Sequence, residues 1–392
     1  MGYEWGETER GPDKRPNQIY GMPRGADATL RTLDMHKTRE YVVEKPTDKV
    51  SVAFLGRAPN KFAEGLASGD AVKQLNTLDA ISKWLLSAPK NKVSQVEAGG
   101  VELVTALVTH SDTAIRELAT KVLAQLLSVQ QGVARGIHCG VVDAALVAIE
   151  DTSVTARRHA HATLQLLGNY PEGIDALVAA GAVARLVHIV DGKFRAPEPL
   201  QSLKVCVRSA EGLAAALAAD GTKVVVGNIR RESPGGEGGE GGDALVLQGY
   251  LVVLTLLTSP PEAKEQAIAE GAVPLLVALL KHREQAVRTA AVGAMVSVCV
   301  SVRGKQEAFE LGAADLLIAL LFVRERATLM LTVKTLGLLA ECRREVLSTP
   351  LDGAFRATFD KALPQLATLA ASEDLVLAKC ARDTADLINW RP

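Results

Sequence analysis

Residues 99–108 read GGVELVTALV, and the same cadence returns as GVVDAALVAI from Gly140, GAVARLVHIV from Gly181, GAVPLLVALL from Gly271 and GAADLLIALL from Gly312. A weaker copy, GAFRATF, starts at Gly353. The steps 99 to 140, 140 to 181, 271 to 312 and 312 to 353 are each 41 residues. A fixed period between 20 and 50 residues marks a stacked repeat architecture, so it decides the fold before any motif does. The step from 181 to 271 is 90, two periods plus 8, and Gly221 (GTKVVVGNI) marks the unit hidden inside it. The surplus is a Gly-rich insertion at 232–243, where Ser233 to Asp243 reads SPGGEGGEGGD and has nothing to bury.

Each unit reads as helical. Val101, Val104, Leu107 and Val108 share one helical face, and His110-Ser111-Asp112 then breaks the helix and supplies a cap. A longer helix follows, with Ile115, Ala119, Val122, Leu123 and Leu126 at i, i+4, i+7, i+8 spacing. Moving 172 residues on finds Val287, Ala291, Ala294, Met295 and Val298 in the same places. A short helix such as 171–180 leads into the next glycine, which supplies the sharp turn. The expected fold is all-α, three helices per unit.

Composition agrees. Of 392 residues, 48% are hydrophobic and only 4% aromatic, a diet of Ala, Leu and Val that suits closely packed helices better than strands. Lys and Arg number 44 against 45 Asp and Glu, so no charge excess points to nucleic acid or an anionic membrane. The five cysteines are scattered and never spaced as CxxC, which argues against a disulfide framework or zinc ribbon and for a reducing compartment. The opening MGYEWGETERGPDKR puts charges where a secretory signal needs an apolar run, and the stretch 244–261 is too short and interrupted to span a bilayer. It reads as a buried helix. Residues 1–50, rich in Pro, Gly and charge, read as an extended arm before a repeat region at 51–392.

Gly236 to Gly241 satisfies GxGxxG but carries two glutamates and lacks a strand and helix around it. Gly192-Lys193 and Gly304-Lys305 lack the following hydroxyl of a phosphate loop and read as loop residues. His159 and His161 point in different directions on a helix, and Cys139 reads as a buried thiol beside the Gly140 turn, with a reactive cysteine as the alternative. Acid pairs such as Glu373 and Asp374 read as loop residues, Trp390 as a cap on the last unit, and no GxSxG elbow occurs. No catalytic residue, cofactor, metal site or small-molecule substrate is expected.

The pattern resembles the armadillo repeat, which implies a right-handed α-solenoid of about eight units, counting Gly56 as the first anchor, with a groove lined by the third helices. Armadillo proteins that clamp extended peptides place Trp and, four residues on, Asn along those helices. Here the corresponding positions hold Lys121, Ala162, Gly293 and Lys334, then Gln125, Leu166, Ser297 and Leu338, so that array is missing. Basic pairs recur at expected helix ends, among them Arg157-Arg158, Arg230-Arg231 and Arg343-Arg344. Arg158, His161 and Gln165 fall at i, i+3 and i+7, a polar stripe that is either a solvated face or a partner surface. The second reading makes Lys121, Gln125, Arg158, His161 and Gln165 the candidate partner-binding residues.

The entry into the first unit, Gly56-Arg57-Ala58-Pro59-Asn60-Lys61-Phe62 and on through Leu75, Leu78, Ala80 and Leu85, resembles the radial spoke protein 14 family. That resemblance implies a non-enzymatic structural subunit of the radial spokes in motile cilia and flagella, cytoplasmic and axonemal, with other spoke subunits as partners. The arm and the Gly-rich insertion depart from the family pattern. A soluble adaptor or assembly factor for ciliary or cytoskeletal complexes is the alternative.

Overall fold

The computed structural model describes residues 57–192, 196–234, 243–346 and 357–389, without the side chains of 342–346. The arm at 1–50, Gly56, Lys193, most of the Gly-rich insertion (235–242), Gly353 and Trp390 lie outside the described residues, as do the side chains of Arg343 and Arg344.

Among the described residues every regular element is helical. Six complete triplets follow one another: α3 (Pro89–Glu97), α4 (Gly100–Leu107) and α5 (Thr113–Leu126); α6 (Gln130–His138), α7 (Val141–Ala148) and α8 (Val154–Leu167); α9 (Pro171–Ala179), α10 (Ala182–Asp191) and α11 (Pro197–Cys206). Then come α12 (Ala210–Ala218), α13 (Gly221–Glu232) and α14 (Ala244–Leu257); α15 (Pro261–Ala269), α16 (Ala272–Leu279) and α17 (Gln285–Val298); α18 (Val302–Glu310), α19 (Ala313–Leu320) and α20 (Arg326–Val346). A pair, α1 (Ala58–Leu66) and α2 (Ala71–Ser87), precedes them, and another, α21 (Leu363–Ala370) and α22 (Leu375–Asn389), follows. The fold is an all-α solenoid of about eight units, and among the described residues no single helix is long and apolar enough to cross a membrane.

Local chemistry fixes each joint. Gly99, Gly140, Gly181, Gly271 and Gly312 sit between first and second helices with φ of 70–80°, a left-handed conformation that strains a residue bearing a Cβ. In the hidden unit the turn residue is Asp220 (φ 56°) rather than Gly221, which is the first residue of α13. Asp and Asn are the side chains that tolerate this region best. Several third helices start on side-chain caps: Asp112 accepts from the Ala114 amide at 2.8 Å, Ser153 from Ala156 and Asp243 from Leu245. Pro opens α3, α9, α11 and α15, where its missing N–H is harmless.

First helices lie hard against the third helix before them. A Cβ added at Gly132, Gly173 or Gly212 would come within 2.0 Å of the carbonyl oxygen of Leu126, Leu167 or Cys206, so glycine sets the approach there. One apolar spine runs through all units and includes every residue of the predicted α5 and α17 stripes. Gln95 interrupts it. Fully buried, with neither amide atom hydrogen-bonded, it stands where later units have Gly136, Leu177, Ala216, Ala267 and Ala308.

Candidate partner-binding face

The third helices α2, α5, α8, α11, α14, α17, α20 and α22 pack successively on one another and form one layer of the solenoid. Their inner sides carry the spine. On the outer side, the eight register positions from Lys121 to Leu338 named above are all half-buried or exposed, so this is the open side of the layer.

The five candidates do not share that face equally. Lys121 and Gln125 are half-buried on α5, and Gln125 Oε1 is shut off from water without a hydrogen-bond partner. Lys121 lies close enough to His159 that its charge, with that of Arg158, adds to burial in lowering the imidazole pKa. Arg158 is exposed, and Gln165 is half-buried. His161 differs from the others: it is only 3% exposed, because 158, 162 and 165 lie towards the open side of α8 while 161 turns into the seam against α11. There its Nδ1 lies 3.1 Å from Ser202 Oγ. Burial pulls its pKa down to about 4, helped by Arg157 and opposed by Glu198.

The basic pairs divide their work. Arg157 Nη1 donates to the carbonyls of Asp151 and Thr152 at 2.6 and 3.1 Å, closing the turn before its own helix. Arg116 does the same to His110 and Ser111, both at 3.0 Å, and Arg288 to His282 and Arg283 at 2.6 and 2.8 Å. Arg116 also forks onto Asp151 of the next unit at 2.6 and 3.1 Å, which holds the Asp151 carboxyl below its usual range. Arg158 instead reaches across to Glu198 at 2.8 Å.

That ion pair stands at the rim of a cleft of about 500 Å³ between the second and third complete units. Ile149 and Val154 form one wall, Ile189 and Pro199 the other, and Arg157, Arg158, His161 and His188 also face it. The polar stripe hinted at this place through Arg158 and His161. Glu198 and Ser202 were missed, since they lie one period further on and only stacking brings them near.

Gly304 and Lys305 lie inside α18, and Lys305 is buried with its Nζ 3.2 Å from Glu341. Asp374 is the cap of α22, bonding the Val376 and Leu377 amides, and Arg326 holds its pKa down to about 2. Cys139 is half-buried rather than buried, and burial raises its pKa, which disfavours the thiolate a reactive cysteine needs. Among the described residues no group of three His, Cys, Asp or Glu side chains is placed to hold a metal.

Residues 260–300 match the family model described as Armadillo/beta-catenin-like repeat. Over 266 residues the chain is 27% identical to radial spoke protein 14 of Chlamydomonas reinhardtii, a match covering 64% of this chain and 66% of that protein, just under two thirds of its length. An engineered protein of known crystal structure superposes with a TM-score of 0.72 at 22% identity, covering 86% of this chain and 79% of that one. A designed armadillo repeat protein in complex with a (KR)4 peptide gives 0.52 at 19% identity, covering 62% of this chain and 98% of that one.

Proposed function

We propose that this armadillo-type solenoid is a non-enzymatic structural subunit of the radial spoke in motile cilia and flagella, holding other spoke subunits along its third-helix face. The observation that carries the reading is the likeness to radial spoke protein 14, which runs through 64% of the chain instead of stopping at one repeat. The architecture supports it: a one-dimensional stack has no deep central cavity but a long face on which several partners fit side by side. The near-neutral charge leaves affinity to buried apolar contacts and short-range polar pairing rather than long-range attraction. The candidate residues for that face are Lys121, Gln125, Arg158 and Gln165. His161 contributes from the seam.

The test is extraction. Axonemes stripped with detergent should retain the chain, and strong salt should release it together with other spoke proteins identifiable by mass spectrometry. Release into the detergent wash favours the soluble adaptor or assembly factor instead. Retention in spokes by a Lys121→Ala/Gln125→Ala/Gln165→Ala variant as firmly as by wild type would move the contact off the third-helix face.

A further inference from the structure

The cleft beside Arg158 sets a buried imidazole, His161, between apolar walls and a charged rim, and the hydrogen-bond network around that imidazole dictates what it can recognise. Ser202 Oγ lies 3.1 Å from His161 Nδ1, 3.2 Å from the Glu198 carbonyl and 3.3 Å from the His161 carbonyl. The hydroxyl has one proton. If it donates to Nδ1, one bond forms and neither carbonyl gains anything. If it donates to a carbonyl, as a serine in a helix does to the residue four before it, Nδ1–H can donate to the oxygen and two bonds form. The second arrangement leaves Nε2 as a bare acceptor, with no partner among the described residues, on a side chain that lines the cleft. A histidine drawn down to about 4 stays neutral and keeps that lone pair at physiological pH.

The rest of the cleft narrows the choice. A guest must donate a hydrogen bond to Nε2. A lysine fits poorly: Glu150 and Glu198, the carboxylates that line the cleft, are already paired with Arg185 and Arg158, Arg157 adds positive charge, and a narrow alkyl chain leaves the apolar walls uncovered. The guest cannot be a carboxylate, which offers Nε2 no proton. A serine or threonine would leave Ile149, Val154, Ile189 and Pro199 in contact with water. We infer that the cleft receives the side chain of a tyrosine or tryptophan from a partner protein, its ring between the apolar walls and its O–H or N–H donated to His161 Nε2. Such side chains combine a large apolar body with one polar tip and dominate protein interfaces. The Arg158–Glu198 pair at the rim supplies the polar surround that excludes water from such an anchor. This rests on the reading of the chain as a partner-binding scaffold and names the anchor within it.

Small side-chain analogues test the cleft without knowing the partner. Titrating the full chain with p-cresol, indole and toluene while following the histidine ring nitrogens by NMR should shift His161 with the first two. Both should bind at least about tenfold more tightly than toluene, the equivalent of one charge-free but well-buried hydrogen bond. Val154 is 57% exposed on the wall, so Val154→Arg should abolish p-cresol binding and leave the melting temperature unchanged. Equal affinity for toluene and p-cresol, no binding of either donor, or binding that survives Val154→Arg overturns the inference. Recovery of spoke proteins with wild type but not with Val154→Arg extends it to the partner. If wild type recovers none, the scaffold reading fails while the p-cresol titration still reports on the cleft; if p-cresol fails and partners are recovered, only the anchor falls.

Discussion

Thr77, Thr120, His161 and Ser202 occupy the same inward-facing position of successive third helices in the N-terminal half of the solenoid, and Leu251, Val292 and Val333 occupy it in the C-terminal half. All seven are buried. In the apolar half the position needs only volume. In the polar half each hydroxyl is satisfied on its own helix, Thr77 on the Lys73 carbonyl at 2.6 Å and Thr120 on the Arg116 carbonyl at 2.8 Å. His161 has no such return path, so it takes its bond from Ser202 in the next unit. Stacking enforces burial at all seven positions, then, but among them His161 is bonded to the side chain of the next unit's counterpart.

The largest effect should come from moving the polar solution into the apolar half. Val292→His faces Val333 instead of a hydroxyl, and an imidazole buried there without a partner costs about 3 kcal/mol in urea unfolding. Adding Val333→Ser should restore about 1 kcal/mol. A Val292→His chain as stable as wild type would erase the distinction between the halves.

Acid should act on the polar half in the same range. The folded pKa of His161 is depressed from 6.5 to about 4, so between those values the unfolded chain takes up a proton that the folded chain refuses. The stability this group contributes is therefore present above pH 6.5 and lost as pH falls toward 4, about 3 kcal/mol in all. His159, also lowered by burial, works in the same direction. The difference in stability between wild type and His161→Gln, measured across that window, isolates the His161 share, and a pH-independent difference would contradict its burial.

Ser202→Ala tests the seam directly. It leaves Nδ1 buried and unpaired and should cost about 1–2 kcal/mol, whereas Thr120→Val, which removes a bond closed within one helix and puts a methyl in its place, should stay within about 0.5 kcal/mol. A double-mutant cycle on His161 and Ser202 should show coupling, and additive losses would mean that the two side chains do not share a bond.

These contrasts mark how far sequence could reach. The 41-residue step, the turn glycines and the α5 and α17 stripes were legible because burial repeats at fixed spacing and glycine leaves its own signature. The polar stripe was half legible. Periodicity places Arg158 and Gln165 outward, yet 161 is only about 40° away from 165 round the helix, and which side of that line is buried depends on how α11 packs. Glu198 and Ser202 were out of reach for a different reason: their role is relational, set by a neighbour 40 or 41 residues away. Asp220 hid because the eye looks for glycine at a left-handed turn.

The smallest effect runs in the opposite sense. Gln95 belongs to the N-terminal half, and its counterparts in the C-terminal half, Ala267 and Ala308, are apolar and equally buried. Unlike the threonines it has no partner for either amide atom, and it folds back over Gly100, where an added Cβ would meet it at 2.6 Å. Desolvating an amide without a compensating bond is unfavourable, and leucine has nearly the same volume without the polar atoms. Gln95→Leu should therefore stabilise the chain by about 1 kcal/mol, visible as a higher urea midpoint at unchanged slope. A loss of stability instead would mean that an ordered water satisfies the amide.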